Sequence, residues 1–389
     1  MITIRRQLLG LGFVAASSLL ALNAAQAMSG PTAIQIDGGP LGSLQLSGGV
    51  DGYGYYVNPV GSGISNGANV ANALVELQKT DGQLQFTIEI GSNGGAITPG
   101  ASNSHPGQTS ITTFVTGPLY AGYITVAPTA IPGFTISAGQ IGSLEGYESG
   151  VEWNNPSQLT TAIFYVQNSQ SRGVTATYTT GPVSATLTFG DGFDTGVFNV
   201  LQGLVTYTFN SSNVLNVYGE ANLGTTGPNA FAYGNGTVGS NNGYINSNMI
   251  GAYYSYTNGN LNLVPEVQFQ YAKKNAKAGI YSGTTDFGVA LFGTYTFGTS
   301  PYSIGGWAEY YTSHTGVIDN YSQFGGPDAQ AIGLAVSPTW QYKDLFARAN
   351  AGYVYLLHNT DALGNKYGFG SGSPSRGQFV GTLEAGLLF

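Results

Sequence analysis

Apolar and polar residues alternate one by one along several stretches of the chain. In residues 83–90 every second residue is apolar, and the residues between them are Gln, Thr and Glu. The same alternation runs through residues 183–189, 214–221 and 261–271. A period of two residues is the pattern of a β-strand with one apolar and one polar face. The chain is therefore predicted to consist mainly of β-strands.

Turn signals divide the chain into eighteen predicted strands. They are 44–57, 70–78, 83–90, 111–116, 119–126, 133–140, 158–167, 173–180, 183–190, 200–209, 213–221, 248–257, 261–272, 285–297, 302–313, 331–342, 345–357 and 377–389. From residue 200 onward, short and long connections alternate, as in membrane barrels. With 18 strands, the long connection 141–157 lies at the end of the short turns. If the weak strand 111–116 is a loop, a second strand must also be lost, and the count is 16.

Composition decides between a soluble β-protein and a membrane barrel. Charged residues are 8% of the chain, whereas soluble domains carry about 25%. After residue 27, no apolar run approaches the roughly 20 residues that a membrane helix needs. Strands with one lipid-facing and one water-facing side satisfy both facts when they close into a barrel. We expect an all-β fold, a transmembrane antiparallel β-barrel of 16–18 strands, 18 preferred, with short periplasmic turns and long outer loops.

The two ends of the chain carry export signals. Residues 1–27 have two arginines, an apolar core and a final Ala-Gln-Ala, which is the pattern of a cleaved signal peptide. We expect residues 28–43 to form a periplasmic lead and residues 44–389 to form one outer-membrane barrel domain. The last predicted strand alternates and ends on Phe389, which resembles the C-terminal signal of bacterial outer-membrane barrels. The barrel-assembly machinery and outer-membrane lipid are therefore expected partners.

Several motifs resemble a known family. Residues 144–149 read Leu-Glu-Gly-Tyr-Glu-Ser, and residues 153–156 read Trp-Asn-Asn-Pro. Residues 173–178 read Gly-Val-Thr-Ala-Thr-Tyr, and residues 190–194 read Gly-Asp-Gly-Phe-Asp. Near the start, residues 50–56 read Val-Asp-Gly-Tyr-Gly-Tyr-Tyr. This order is similar to the OmpL-like putative beta-barrel porin family, also called beta-barrel porin 2. The resemblance implies a porin-like barrel in the bacterial outer membrane.

The densest acidic group is Glu145, Glu148 and Glu152. We expect this segment to fold into or over the lumen, where the three carboxylates form a constriction that attracts cations. Carboxylates in a narrow, partly desolvated pore create a negative potential. The alternative is a solvated loop, or glutamates locked in hydrogen bonds with the barrel wall. The strand alternation also predicts four lumen-facing acids, namely Glu89, Glu220, Glu266 and Glu309.

Other candidate sites carry weaker signals. Asp191 and Asp194 lie in a glycine-rich loop with the oxygen donors of a weak Ca²⁺ site, although their spacing is not that of an EF-hand. The chain has no Cys, and it has 11 basic residues against 19 acidic ones. Thiolate chemistry is therefore excluded, and nucleic acid is not an expected partner.

Passive diffusion of small hydrophilic solutes or ions is the expected function, with a preference for cations, no cofactor and a homotrimer as one open oligomeric state. One alternative is a structural or adhesive barrel whose loop 222–247 binds a partner. A barrel hydrolase is the other alternative, with His105, His314 and His358 as its histidines. No nucleophile motif accompanies them.

Overall fold

The computed structural model describes most of the chain after the first 27 residues. The described residues are 28, 30–61, 65–100, 119–167, 171–192, 195–232, 236–237, 242–315, 328–361, 364–371 and 375–389. The expected signal peptide, residues 1–27, lies outside them, as do the predicted strand 111–116 and Asp194. Among the described residues, no helix has the length and hydropathy that crossing a membrane requires.

Sixteen antiparallel strands, β1 to β16, form the barrel. Their bounds are Ser43–Asn58, Asn66–Lys79, Leu84–Asn93, Leu119–Val126, Phe134–Ile141, Ser171–Thr180, Val183–Asp191, Phe198–Asn210, Asn213–Asn222, Asn248–Asn258, Leu261–Ala272, Thr284–Thr296, Tyr302–Thr315, Gln330–Tyr342, Leu345–His358 and Gly377–Leu388. Each strand pairs with the next one along the chain. The pairing of β16 with β1, from Phe379 opposite Asn58 to Leu388 opposite Gly49, closes the cylinder. Closure leaves no strand edge in the membrane, where an unpaired backbone group would be costly.

The preferred count of eighteen strands is wrong, and sixteen is correct. Residues 158–167 do not form a barrel strand but lie in the lumen, where Ala162–Tyr165 form a short helix, α1. The predicted strand 111–116 lies outside the described residues, and β3 pairs directly with β4. The prediction of a strand at 158–167 is wrong because these residues are buried by packing against the inside of the barrel wall, and not by a place within the sheet.

With sixteen strands instead of eighteen, the connection between β5 and β6 lies at the opposite end of the barrel from the one predicted. Successive connections lie alternately at the two ends of the barrel, and residues 142–167 fall at the end of the long loops. The prediction that placed residues 141–157 at the end of the short turns is therefore wrong. The error follows from the strand count, because each miscounted strand moves a connection to the opposite end of the barrel.

The strands alternate between an apolar outer face and a polar inner face. On β11, Val267 and Phe269 are exposed on the outside, while Glu266, Gln268 and Gln270 are buried on the inside. The exposed apolar side chains would be unfavourable in water and are stabilised by contact with lipid tails. The inner faces supply the polar groups that line the lumen.

Aromatic side chains collect on the outer face near both ends of the strands. Near the short turns, the ring centroids of Tyr207 and Phe209 are 4.7 Å apart, and the stacked rings of Trp340 and Tyr342 are 6.5 Å apart. Near the long loops, the rings of Tyr56 and Phe379 are 6.4 Å apart, and those of Phe269 and Tyr271 are 6.0 Å apart. Such amphipathic rings mark the two membrane–water interfaces of a barrel.

The segment before the barrel adds one strand outside the cylinder. Ile34–Asp37 pairs antiparallel with residues 43–46 of β1, and a 3₁₀ turn, Gly39–Leu41, joins the two. The other short elements are 3₁₀ turns at Glu152–Asn154 and Ala276–Ala278, a helix at Asn242–Ile245, and two-residue strands at Phe231–Ala232 and Gly236–Thr237.

The two faces of one strand are expected to respond differently to a charge. Leu187 on β7 is 51% exposed on the outer face, and Thr186 beside it lies on the inner face. We predict that Leu187→Arg lowers the free energy of unfolding by about 2–4 kcal/mol, as for arginine near the middle of a bilayer. Thr186→Arg should cost much less, because lumen water solvates the charge. Urea unfolding in lipid vesicles measures both, and equal losses would contradict the assignment of the faces.

Candidate functional site

The connection between β5 and β6 turns inward and fills part of the lumen. Residues 142–167, hereafter the inward loop, are mostly buried, and Tyr165, at 44% exposure, is the one exposed residue among them. A second segment, residues 94–100, runs beside the inward loop. The Ile97 backbone N–H donates to Gln158 O at 3.2 Å, and the Thr160 N–H donates to Ile97 O at 2.8 Å. The two segments therefore form one layer against the inside of the barrel.

Apolar side chains hold the middle of the inward loop against the wall. Leu159, Ala162 and Ile163 are at most 1% exposed and belong to one apolar cluster with Trp307 and Phe292. Complete burial of a leucine or isoleucine side chain contributes about 1.5–3 kcal/mol. The Trp307 indole N–H also donates to Leu159 O, so this ring contributes both packing and a hydrogen bond.

Glutamates hold the start of helix α1. Glu148 accepts from the Thr161 N–H at 3.0 Å and from the Thr161 hydroxyl. Glu309 of β13 accepts from the Ala162 N–H at 2.8 Å. The first N–H groups of a helix have no partner within it, so these carboxylates supply acceptors that the helix needs.

Glutamine side chains of β11 hold the other end of α1. Gln268 Nε2 donates to Ile163 O at 3.0 Å, and Gln270 Nε2 donates to Val166 O at 2.9 Å. Buried carbonyl groups without a donor would destabilise the docked loop. The polar alternation of β11 therefore fixes the position of the helix within the barrel.

One glutamine of β8 links the beginning of the inward loop to two acids. Gln202 Nε2 donates to Glu145 Oε1 and to Glu220 Oε2, both at 3.1 Å. Gln202 Oε1 accepts from the Leu144 N–H at 3.4 Å. Glu145 is thus attached to the wall beside β8 and β9.

Arg348 on β15 is the basic anchor of the inward loop. Its guanidinium binds Glu384 of β16 through Nε at 2.9 Å and Nη2 at 3.1 Å. Nη1 donates to Asn155 O at 2.9 Å, and Nη2 donates to Glu152 O at 3.1 Å. The side chains of Arg348 and Glu384 are completely buried, so the pair joins two strands and the loop in one desolvated network.

Beside this pair, the carboxylate of Glu152 lies close to that of Asp51 on β1. Asn72 Nδ2 donates to both carboxylate oxygens of Glu152, at 2.6 and 2.7 Å, and to Asp51 Oδ1 at 3.0 Å. Asp51, Glu152 and Glu384 each place one carboxylate oxygen within 4.8 Å of the other two. Burial, together with the nearby charges of Asp51 and Glu384, raises the pKa of Glu152 well above its usual range.

The structure divides the three glutamates proposed for a constriction into separate groups. Glu145 joins Glu220 through Gln202, and Glu148 lies near Glu266 and Glu309. Glu152 lies with Asp51 and Glu384. Glu145 and Glu152 accept hydrogen bonds from wall residues, whereas Glu148 accepts from Thr161 within the loop, so the three do not form a single ring of carboxylates.

The remaining predicted acids lie in different surroundings. Glu89 is on the inner face of β3, directly opposite Glu76 of β2. Glu266 accepts from the Tyr218 hydroxyl at 2.7 Å. Asp191 Oδ2 accepts from Arg172 Nη2 at 2.8 Å. Asp191 is therefore engaged by a guanidinium.

The three histidines lie away from the inward loop or outside the described residues. His314 Nδ1 contacts Asp328, and His358 Nε2 lies 2.7 Å from Thr360 O near the long loops. His105 lies outside the described residues. The described histidines therefore pair with loop atoms, and neither lies beside a serine–carboxylate arrangement in these contacts.

Sequence reasoning missed the wall residues that receive the inward loop. Arg348, Gln202 and Asn72 were not proposed, although each is a polar residue on the inner face of an alternating strand. A lone arginine among small and apolar residues in 345–357 was the clearest available signal. The partners on the loop could not be read from spacing, because they are up to 196 residues away along the chain.

The wall across β4 to β7 differs from the wall that binds the loop. Its inner face carries hydroxyl pairs between neighbouring strands: Thr125 with Ser137 at 2.7 Å, Thr175 with Thr188 at 2.7 Å, Thr177 with Thr186 at 3.0 Å, and Thr179 with Ser184 at 2.9 Å. We name this surface the hydroxyl wall. It is polar and uncharged.

Removal of the arginine anchor should destabilise the barrel strongly. We predict that Arg348→Met lowers the free energy of unfolding by about 3–5 kcal/mol, because it leaves the buried Glu384 without its partner. Lys79→Met removes an exposed pair with Asp81 and should have little effect. Urea unfolding of both variants in detergent tests this difference, and similar stabilities would show that Arg348 is not an anchor.

Stability should also depend on the protonation of Glu148. Burial raises the pKa of Glu148 well above its usual value of 4.5, with Glu266 and Glu309 adding to the shift and Thr161 opposing it. Above pH 4.5 the unfolded chain loses this proton while the folded chain keeps it, so stability falls as pH rises towards the folded pKa. Glu148→Gln should remove that part of the pH dependence. Unfolding curves between pH 4 and about 9 would contradict this assignment if the two proteins change in parallel.

Comparison with known proteins agrees with this architecture. The chain matches the family described as "Putative beta-barrel porin-2, OmpL-like" over residues 43–389. No curated protein matches it.

Three solved structures share the fold at low sequence identity. The outer membrane protein OmpT of Vibrio cholerae is 8% identical with a TM-score of 0.57, covering 90% of this chain and 98% of that one. The outer membrane channel DcaP of Acinetobacter baumannii is 11% identical with a TM-score of 0.56, covering 89% and 97%. The anion-selective porin of Comamonas acidovorans is 12% identical with a TM-score of 0.55, covering 89% and 99%. The family match extends over nearly the whole barrel, and the chain therefore belongs to the OmpL-like beta-barrel porin-2 family of the bacterial outer membrane.

Proposed function

We propose that the protein is a passive-diffusion porin whose aqueous path runs between the inward loop and the wall across β4 to β7. The observation that carries this proposal is the docking of the loop on the other strands. Its hydrogen bonds reach β2, β3, β8, β11 and β13 to β16. On β6 and β7 the hydroxyl groups of Thr179, Ser184 and Thr186 are half-buried, whereas those further from the short turns are buried. The half-buried groups suit the passage of small hydrophilic solutes, because they exchange hydrogen bonds with water and solute at little cost.

The exposed side of the inward loop fits such a path. Tyr165 is 44% exposed, whereas Ile163, two residues earlier on α1, is 1% exposed. One side of the short helix therefore packs on the wall while the other meets open space. We propose that Tyr165 lines the narrow part of the path.

A preference for cations is supported by the excess of acids inside the barrel. Glu76 and Glu89 face each other on the inner side of β2 and β3. Glu266 and Glu309 are held by hydroxyl or backbone donors instead of by cations. Inside low-dielectric walls, this excess favours cations along the path. The porin of Comamonas acidovorans is anion-selective, and that selectivity is a property of that protein.

The assembly of the barrel is also part of the proposal. The backbone of Phe389 exchanges two hydrogen bonds with Gly48, at 2.8 and 2.9 Å, next to the closing pair of strands. We propose that the barrel-assembly machinery binds the protein through the C-terminal strand, which Phe389 directly follows. We propose a homotrimer in outer-membrane lipid, supported by the trimer form of the Vibrio cholerae OmpT structure. The protein acts as a channel and catalyses no reaction.

Ion selectivity and conductance test the function directly. In planar bilayers under a KCl gradient, the wild-type protein should conduct and prefer cations. We predict that Glu76→Gln with Glu89→Gln lowers this preference, while Asp81→Asn in an exposed turn leaves it unchanged. Replacement of Glu145, Glu148 and Glu152 by Gln tests the constriction that the sequence predicts for these glutamates.

The outcomes separate the parts of the proposal. A wild-type protein without conductance, or without swelling of sugar-loaded liposomes, contradicts the porin function. An anion preference contradicts the role of the lumen acids while leaving diffusion intact. Unchanged selectivity in the triple glutamine variant refutes a constriction role for those three glutamates.

A further inference from the structure

We propose that the outer face of β10 to β13 binds a phosphorylated glycolipid of the outer leaflet. Its phosphate groups would bind Lys273, Lys274 and Lys277, and an acyl chain would lie in an apolar groove below them. The three lysines belong to the connection between β11 and β12, at the end of the long loops, and all three are exposed. The chain has 11 basic residues, and these three fall within five consecutive positions, which makes them its densest basic group.

No carboxylate lies beside these lysines along the chain. Residues 267–285, which contain them, have no Asp or Glu, and neither has the preceding long loop, residues 223–247. The acids on either side, Glu266 and Asp286, are buried on the inner face and accept from tyrosine hydroxyls. Among the described residues, none of the three lysines forms an ion pair. Uncompensated lysines beside a membrane attract anionic lipid headgroups.

Hydrogen bonds within the loop fix its shape. The Asn275 N–H donates to Ile280 O at 2.8 Å, and the Ile280 N–H donates to Asn275 O at 3.0 Å. The Asn275 side chain accepts from the Lys277 N–H at 3.1 Å and donates to Thr225 Oγ1 of the preceding long loop at 2.9 Å. A loop that is ordered before binding loses less conformational entropy when it binds a headgroup.

Lys273 lies on the lipid-facing side of the barrel. Its Nζ is 5.9 Å from the centroid of the Tyr271 ring, and this ring stacks on Phe269 with the centroids 6.0 Å apart. Both rings belong to the outer-face aromatics near the long loops, and Phe269 is 40% exposed. The ammonium group therefore lies at the outer membrane–water interface, where lipid phosphates are found.

An apolar groove of about 560 Å³ lies on the outer face of the same strands. It forms where small residues adjoin larger ones, and its outward lining includes Tyr254, Pro265, Val267, Leu291, Ala308 and Tyr310. Val267 is six residues before Lys273 on β11. With a rise of about 3.3 Å per residue and a strand tilt of roughly 40°, this separation is about 15 Å of depth. That is half of a hydrocarbon core of about 30 Å, so a chain descending from Lys273 reaches the groove.

The combination of the two features selects a lipid. A free phosphate ion would use the lysines without the groove, and a second barrel would cover the groove without the lysines. A molecule with an anionic head and apolar chains uses both. Three lysines carry more charge than one phosphodiester balances, so a headgroup with two phosphate groups fits better than that of a phospholipid. The site is independent of whether the lumen conducts.

Lipid binding to the intact barrel tests the headgroup contacts. Protein in detergent is titrated with lipid A, a glycolipid with two phosphate groups, and native mass spectrometry counts the bound molecules. We expect one tightly bound lipid A per chain. Replacement of Lys273, Lys274 and Lys277 by Met should weaken its binding about 100-fold. Lys343→Met is the matched control, because this lysine lies 5.5 Å from the Tyr342 ring at the short-turn end, and it should leave binding unchanged.

The chemistry of the ligand separates lipid from free anion. Lipid A without its phosphate groups should bind the wild type as weakly as intact lipid A binds the triple lysine variant. Phosphatidylglycerol, with one phosphate, should bind less tightly than lipid A. Inorganic phosphate should not displace bound lipid A.

A second pair of variants tests the groove. Ala308→Phe fills the groove far from the lysine loop and should weaken lipid A binding about tenfold, because it displaces part of the acyl chain. Ala351→Phe adds the same ring on the outer face of β15, outside the groove, and should have no effect.

Three results would overturn the proposal. Equal lipid A binding by the triple lysine variant and Lys343→Met would refute the lysine site. Displacement by inorganic phosphate would identify a site for the free ion. A changed oligomeric mass of Ala308→Phe with unchanged lipid binding would assign the groove to a contact between copies of the chain. If the triple variant fails to assemble, the comparison of lipid A with its dephosphorylated form on the wild type still decides the outcome.

Discussion

The inward loop can remain inside the barrel only if its buried backbone groups find hydrogen-bond partners. The strands use their own N–H and C=O groups to close the cylinder, so none remain for the loop. The inner side chains supply the donors and acceptors that the loop needs. Gln268 and Gln270 donate to its carbonyls, and Glu309 accepts from one of its N–H groups. Arg348 donates to two further carbonyls. The polar inner face is therefore a docking surface as well as a wettable wall.

The docking of the loop explains why acids lie at several separate positions inside the barrel. Carboxylates that accept from the start of α1 contribute to docking, and those near the seam accept from Asn72. In the proposed function, other acids of the same inner faces also bias the ions that pass the loop. Loop docking and the proposed path therefore depend on the same polar inner faces.

Strand alternation made most of the fold predictable. The strand 261–272 was predicted with its observed bounds, because its faces alternate cleanly despite Pro265. The error at 158–167 has a physical cause: its burial depends on contacts with Trp307 and other distant residues, and no local pattern encodes them. The preferred count of eighteen exceeded the observed sixteen in part for this reason.

The candidate site was predictable only in part. The acid-rich segment was expected to enter or cover the lumen because of its charge and aromatic residues, and the structure places residues 142–167 inside the barrel. The wall residues that bind this segment were not predictable, since the partners of Glu152 and Asn155 lie on β1, β2 and β15. Long-range pairs of this kind follow from barrel closure. They could not be predicted, because the register of the strand pairs cannot be derived from a single sequence.

Thiol accessibility at two positions of α1 tests the docked loop most directly, because the chain has no cysteine of its own. Ile163→Cys and Tyr165→Cys differ by two residues along the same helix, but the native side chains are 1% and 44% exposed. The account predicts that a charged, water-soluble thiol reagent labels the Tyr165→Cys protein rapidly in the folded barrel. The Ile163→Cys protein should react only after unfolding. Equal labelling of the two folded proteins would contradict a loop that is fixed against the barrel wall.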